Sequence, residues 1–134
     1  MEILRLELAV KKAWSRDTSS DPENWSPQNP AWSQCDVTSL VVNDYLGGSI
    51  IHFGVRSTDG TTYNHTCNKV EGEVVDFTKV QFPEGSVFTR SNNNDQFIKA
   101  RGFDSVRAYM LSIPEFLNIE KRYLLLKEAV KTHI

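Results

Sequence analysis

Cys35, His65 and Asp76 are three side chains that, brought together, would supply a nucleophile, a base and an orienting carboxylate. Gln34, directly before the cysteine, adds an amide N–H that, with the backbone N–H of Cys35, suits a developing oxyanion. The chemistry of such a set is acyl transfer: sulfur attacks an amide or ester carbonyl and the imidazole relays the proton. His52 is a second candidate base, and Cys67 a second candidate thiol. Order along a chain is not geometry, so the elements that carry these residues decide whether they meet.

Ile3, Leu6, Val10 and Trp14 follow a helical stripe, which predicts a first helix ending near Ser15. Arg16–Ser33 is rich in Ser, Asp, Asn and Pro and reads as a long loop. Trp25 and Trp32 would pin that loop through their large buried area, and could wall a substrate cleft. From Cys35 to Leu46, Val37, Leu40, Val41 and Tyr45 recur at helical spacing, and Gly47-Gly48 supplies the stop. Cys35 then opens a helix, where free N–H groups and a partial positive charge favour an anion. Asp36 beside it opposes a second negative charge.

Three strands are predicted, at Ile50–Arg56, Thr62–Val70 and Val74–Phe82. Asp59-Gly60 suits a two-residue type I′ turn, which sets Gly54 opposite His65 and His52 opposite Cys67. Gly54 would leave open space for a substrate beside the imidazole; a bulge at this glycine is the alternative. An even-numbered connection around Glu71-Gly72 sets Asp76 opposite Cys67 and diagonal to His65 on one sheet face. Ser91–Asp95 reads as a polar loop. Phe103–Ser112 and Glu115–Lys131 read as the last helices, with Pro114 at a helix start. Leu124, Leu125 and Val130 are expected to face the core, and Glu120, Lys121, Arg122, Lys127 and Glu128 the solvent. The order gives one α+β domain over residues 1–134: an N-terminal helix and the cysteine-bearing helix on a small antiparallel sheet, followed by C-terminal helices.

Composition narrows the function classes. With 15 basic against 17 acidic residues, the chain lacks the basic stripe that nucleic acid or an anionic membrane surface requires. No apolar run approaches a membrane span, and Glu2, Arg5 and Glu7 interrupt the N-terminal apolar stretch that a signal peptide would need. A cytoplasmic protein with free thiols is therefore expected, acting on a small-molecule or peptide substrate without a cofactor. Cys35, Cys67, His52 and His65 are possible zinc ligands, but they lack the close spacing of a structural zinc site, so no metal is expected.

The segments Trp25–Gly48, His65–Asn68 and Val75–Phe82 together resemble the bacterial YunG-like family, as do Tyr109–Glu115 and Arg122–Leu126. The resemblance covers nearly the whole chain, and it implies that Gln34, Cys35, His65 and Asp76 stand at recurring polar positions of that family. The pattern it resembles has Gly-Gln-Cys-Ala where this chain has Ser33, Gln34, Cys35 and Asp36. It also differs at Thr66 and Cys67. The order of cysteine on a helix, histidine on a strand and aspartate on the next strand is similar to the papain-like and transglutaminase-like hydrolases, an analogy at the level of fold. The leading expectation is a thiol hydrolase or acyltransferase. A non-catalytic binding module on the same scaffold is the first alternative, and a zinc protein using Cys35, Cys67 and a histidine is the second.

Overall fold

Leu6, Ala9, Val10 and Ala13 form the buried stripe of the first helix, α1 (Ile3–Ala13). Trp14 follows it and stays buried by donating its indole N–H to the Thr38 hydroxyl at 2.9 Å. Ile3, expected on this stripe, is exposed. The computed structural model describes residues 1–91, 93–112 and 118–134.

The segment 16–33 starts with a 3-10 turn at Arg16–Thr18 and is then ordered by side chains. Trp25 donates to the Pro30 carbonyl at 2.9 Å, and Trp32 to the Asp21 carboxylate at 3.0 Å. The second helix, α2 (Cys35–Leu46), buries Val37, Leu40, Val41 and Val42. It stops at Gly47 and Gly48, both at positive φ. Gly48 is also required by contact, since a Cβ there would lie 2.1 Å from the Lys69 carbonyl oxygen.

Four strands follow: β1 (Ser49–Arg56), β2 (Thr62–Val70), β3 (Glu73–Val75) and β4 (Val87–Arg90). They form an antiparallel sheet of order β3-β2-β1-β4. The third predicted strand is cut short. The chain leaves the sheet after Val75 and makes a 3-10 turn at Lys79–Gln81, where a strand to Phe82 was expected. The edge strand β4 had no counterpart in the sequence reading.

The β1–β2 turn corrects the predicted register. Gly60 donates to the Ser57 carbonyl at 2.9 Å, and Ser57 to the Thr61 carbonyl at 2.8 Å. The loop is therefore Thr58-Asp59-Gly60, three residues long, with Gly60 at φ 87°. One extra loop residue shifts every pair: Phe53 faces His65, Gly54 faces Asn64, and His52 faces Thr66. The β2–β3 side keeps its expected pairing, with Asn68 opposite Val75 and Val70 opposite Glu73.

Three helices complete the chain among the described residues: α3 (Asn93–Ala100), α4 (Val106–Leu111) and α5 (Ile119–Lys131). Helix α3 begins inside the stretch read as a polar loop. Asn92 of that stretch, Pro114 and the expected helix start at Glu115 lie outside the described residues. Helix α5 is rotated from its expected setting. Ile119, Arg122, Tyr123, Leu126 and Val130 are buried, while Leu124 and Leu125 are 51% and 45% exposed. The core lies between α1, α2 and α5 and one face of the sheet. Arg107 and Lys127 both pair with Asp44, fastening α4 and α5 to α2. Among the described residues no helix is long and apolar enough to cross a membrane.

Candidate functional site

His65 is the most buried polar ring of the sheet, with no accessible surface. Its Nε2 lies 2.7 Å from Oδ2 of Asp76. The β2–β3 register brings Asp76 to this point, because the residue just past β3 falls beside Cys67 and diagonal to His65. The other carboxylate oxygen accepts from the backbone N–H and hydroxyl of Thr78, at 3.2 and 3.3 Å. Asp76 is thus held from one side and offered to the imidazole from the other.

The second ring nitrogen, Nδ1, is buried and has no hydrogen-bond partner. Burial alone would push the imidazole towards its neutral form. The hydrogen bond to Asp76 and the influence of the nearby Cys35 sulfur outweigh it and raise the His65 pKa to about 9. A ring held by a carboxylate at one nitrogen and unengaged at the other is arranged to exchange a proton through the free nitrogen.

Cys35 is half-buried at the first position of α2. Ser39, one turn further on, stands 3.4 Å from Thr66 of β2, and Asn68 donates to the Ser39 carbonyl at 2.9 Å. These contacts lay the start of α2 against the strand that carries His65. Asp36, next to the cysteine, is not an uncompensated charge. Arg122 of α5 reaches it with two bonds, of 2.6 and 3.1 Å, and donates also to the Thr18 carbonyl at 3.1 Å. Arg122 was expected in solvent; it is buried, and this ion pair sets the rotation of α5.

Gln34 is fully buried, and its amide nitrogen donates to the Ser15 carbonyl at 2.9 Å. Ser33 before it has φ 56°, in the left-handed region where glycine carries no penalty and where the resembled pattern has glycine. The Ser33 N–H donates to Oε1 of Gln81 at 3.0 Å. The Gln81 amide nitrogen is buried without a partner, and the Ser33 that its oxygen engages lies two residues before Cys35.

Of the residues expected to line a cleft, Trp32 joins the site through aromatic contacts. Its ring meets Tyr63 at 5.7 Å, Tyr63 meets Phe82 at 5.5 Å, and Phe82 meets His65 edge-on at 5.3 Å. Phe88 of β4 covers His65 from another side at 5.8 Å. Trp25 stands apart from this chain of rings, with the Arg16 guanidinium over it at 5.4 Å. The shifted register removes the reason for placing Gly54 beside the imidazole, since Phe53 is the residue opposite His65. His52 remains close enough to His65 to feel it: burial first, then Arg90 and His65, hold its pKa below the ordinary histidine value.

The contacts of Arg122 and Gln81 are tertiary and leave no local pattern in the sequence. Cys67 is expected as a fallback nucleophile or, in the zinc alternative, as a ligand. It is buried against the same pair, with burial first and the Asp76 charge next pushing its thiol up to about 12. Asp-x-Thr at 76–78 was a usable local signal, since an aspartate two residues before a threonine commonly accepts from its N–H.

The comparisons with known proteins agree on lineage. A family model described as YunG protein matches residues 2–134. A Bacillus subtilis (strain 168) protein described as "Uncharacterized protein YunG" is 40% identical over 73 residues, 54% of this chain and 56% of the relative. The match thus spans little more than half of that relative's length. No solved structure matches the chain. With the family model running along almost the whole sequence, the chain belongs to the YunG protein family.

Proposed function

We propose that this protein is a thiol-dependent hydrolase or acyltransferase acting on an amide or ester of a small molecule or peptide. The observation that carries the reading is the buried His65 ring, bonded to Asp76 at 2.7 Å through Nε2 and left open at Nδ1 beside the cysteine-bearing helix. In this reading His65, with its pKa raised to about 9, already holds the proton taken from the Cys35 thiol, and the sulfur attacks the carbonyl carbon, forming the sulfur–carbon bond as the carbonyl opens to an oxyanion. The tetrahedral oxyanion is held by the backbone N–H of Cys35 and a side-chain amide. Gln34 has one N–H committed to Ser15, so Gln81, with its amide nitrogen unbonded, has the greater capacity to spare. The carbon–nitrogen or carbon–oxygen bond then breaks, and the leaving group takes its proton from His65. Water, or an acceptor amine or hydroxyl, resolves the thioester and restores the thiol.

The order of cysteine, histidine and aspartate on these elements is similar to the papain-like and transglutaminase-like hydrolases, which supports the reading by analogy. Arg122 strengthens it by neutralising Asp36, the charge that most directly opposes an anionic sulfur.

The test is to mix the protein with p-nitrophenyl acetate near neutral pH and follow acetylation of Cys35 by intact mass and peptide mapping. Wild type is expected to form a thioester that turns over, and His65→Ala to form it roughly 100-fold more slowly. Absence of an adduct on Cys35, or equal rates in the two proteins, would count against the proposal.

A further inference from the structure

The proposed reaction uses Cys35, His65 and Asp76 and leaves Cys67 without a task. Yet this second thiol is placed against the same pair: a ring nitrogen of His65, Sγ of Cys67 and a carboxylate oxygen of Asp76 all lie within 4.8 Å of one another. Cys67 and His65 are buried, and Asp76 is nearly so. We propose that this pocket is also a binding site for a soft divalent cation, zinc foremost, held by His65, Cys67 and Asp76 with Cys35 as the fourth ligand.

The donor set decides the metal class. One imidazole, two sulfurs and one carboxylate suit zinc or cobalt and fit magnesium or calcium badly, since those prefer all-oxygen shells. Tetrahedral zinc with bonds of ~2.0–2.3 Å spaces its ligand atoms roughly 3.3–3.8 Å apart, so shifts of about 1 Å close the cluster. Cys35 lies outside this three-residue cluster, and its sulfur would swing in from the start of α2 to complete the tetrahedron. The supports around the ligands resemble those of a built site. Thr78 fixes the far oxygen of Asp76, and the edges of Phe82 and Phe88 confine the imidazole and limit water.

A bound cation would take the place of the proton shared by His65 and Asp76 and would engage the Cys35 sulfur. Metal-loaded protein would therefore carry a silenced nucleophile, and chelation would release it. The inference stands on the ligand set rather than on the reaction, so either can fail alone.

Cobalt titration of the metal-free protein supplies the test. Wild type is expected to bind one cobalt per chain with a sulfur-to-cobalt charge-transfer band that zinc abolishes. Cys67→Ser is expected to weaken binding by roughly tenfold or more. No such band at saturating cobalt in wild type, or unchanged affinity in Cys67→Ser, would overturn the site. A second readout needs no variant: equimolar zinc should slow iodoacetamide labelling of Cys35 roughly tenfold, with recovery on adding a chelator. Undiminished labelling in the presence of zinc would overturn the proposal equally. Acetylation by p-nitrophenyl acetate, measured on the metal-free protein, reports on the reaction separately.

Discussion

Cys35 stands between two carboxylate–cation pairs of opposite character. On the helix side Asp36 is claimed by Arg122, a cation that keeps its charge at every working pH and holds the carboxylate with two bonds. On the sheet side Asp76 is claimed by His65, a cation that can lose its proton and that keeps one nitrogen unbonded. The first pair is suited to hold α5 and the start of α2 in place. The second is suited to exchange protons. Two aspartates, one adjacent to Cys35 and the other eleven residues beyond His65, thus take different parts, decided by the partner that each one meets.

The largest expected effect comes from breaking the fixed pair. Arg122→Leu leaves Asp36 partly buried without its cation and should cost ~3–5 kcal/mol in urea unfolding. Adding Asp36→Ala to that variant should restore part of the loss, because the stranded charge goes with it. If Arg122→Leu unfolds like wild type, the pair has no structural part and the contrast fails.

The titratable pair should appear in the pH dependence of stability. The folded-state pKa of His65 is raised to about 9 from 6.5, so the folded protein holds this proton more tightly than the unfolded chain. Its contribution is therefore complete below pH 6.5 and is lost as pH rises through about 9. Up to ~3 kcal/mol should disappear across that window in denaturant unfolding. Asp76→Asn should lower stability below pH 6.5 and flatten the slope. A variant slope equal to that of wild type would assign the pH dependence elsewhere.

The smallest effect concerns the approach to the cysteine. Ser33→Gly relieves a left-handed serine at φ 56° and should stabilise the protein by about 0.5–1 kcal/mol, after glycine's own entropic cost. A loss of stability would mean that contacts of the serine side chain outweigh the backbone strain.

Local pattern explains what the sequence made legible. Helix α2 was readable from its apolar spacing and its Gly47-Gly48 stop, and the β2–β3 pairing from the Glu71-Gly72 connection, which together predicted Asp76 beside His65. The β1–β2 register was missed because Asp-Gly serves both two-residue and three-residue turns, and only the Ser57–Thr61 bond separates them. In α5 the run Leu124-Leu125-Leu126 gives no unique inward face; the Arg122–Asp36 pair selects one that leaves only Leu126 of the three buried. Strand β4, four residues long and mostly exposed at the sheet edge, carries too little alternation to be seen. The orphaned amide of Gln81 depends on a contact with Ser33 far away in sequence, which no local pattern reveals.

The most direct measurement of the central claim is the rate of iodoacetamide labelling at Cys35 near neutral pH, in metal-free wild type and in His65→Asn. If sulfur, imidazole and Asp76 work as one unit, wild type should react roughly tenfold faster than the variant and faster than free glutathione. Equal rates in wild type and variant, with both proteins folded, would contradict the account.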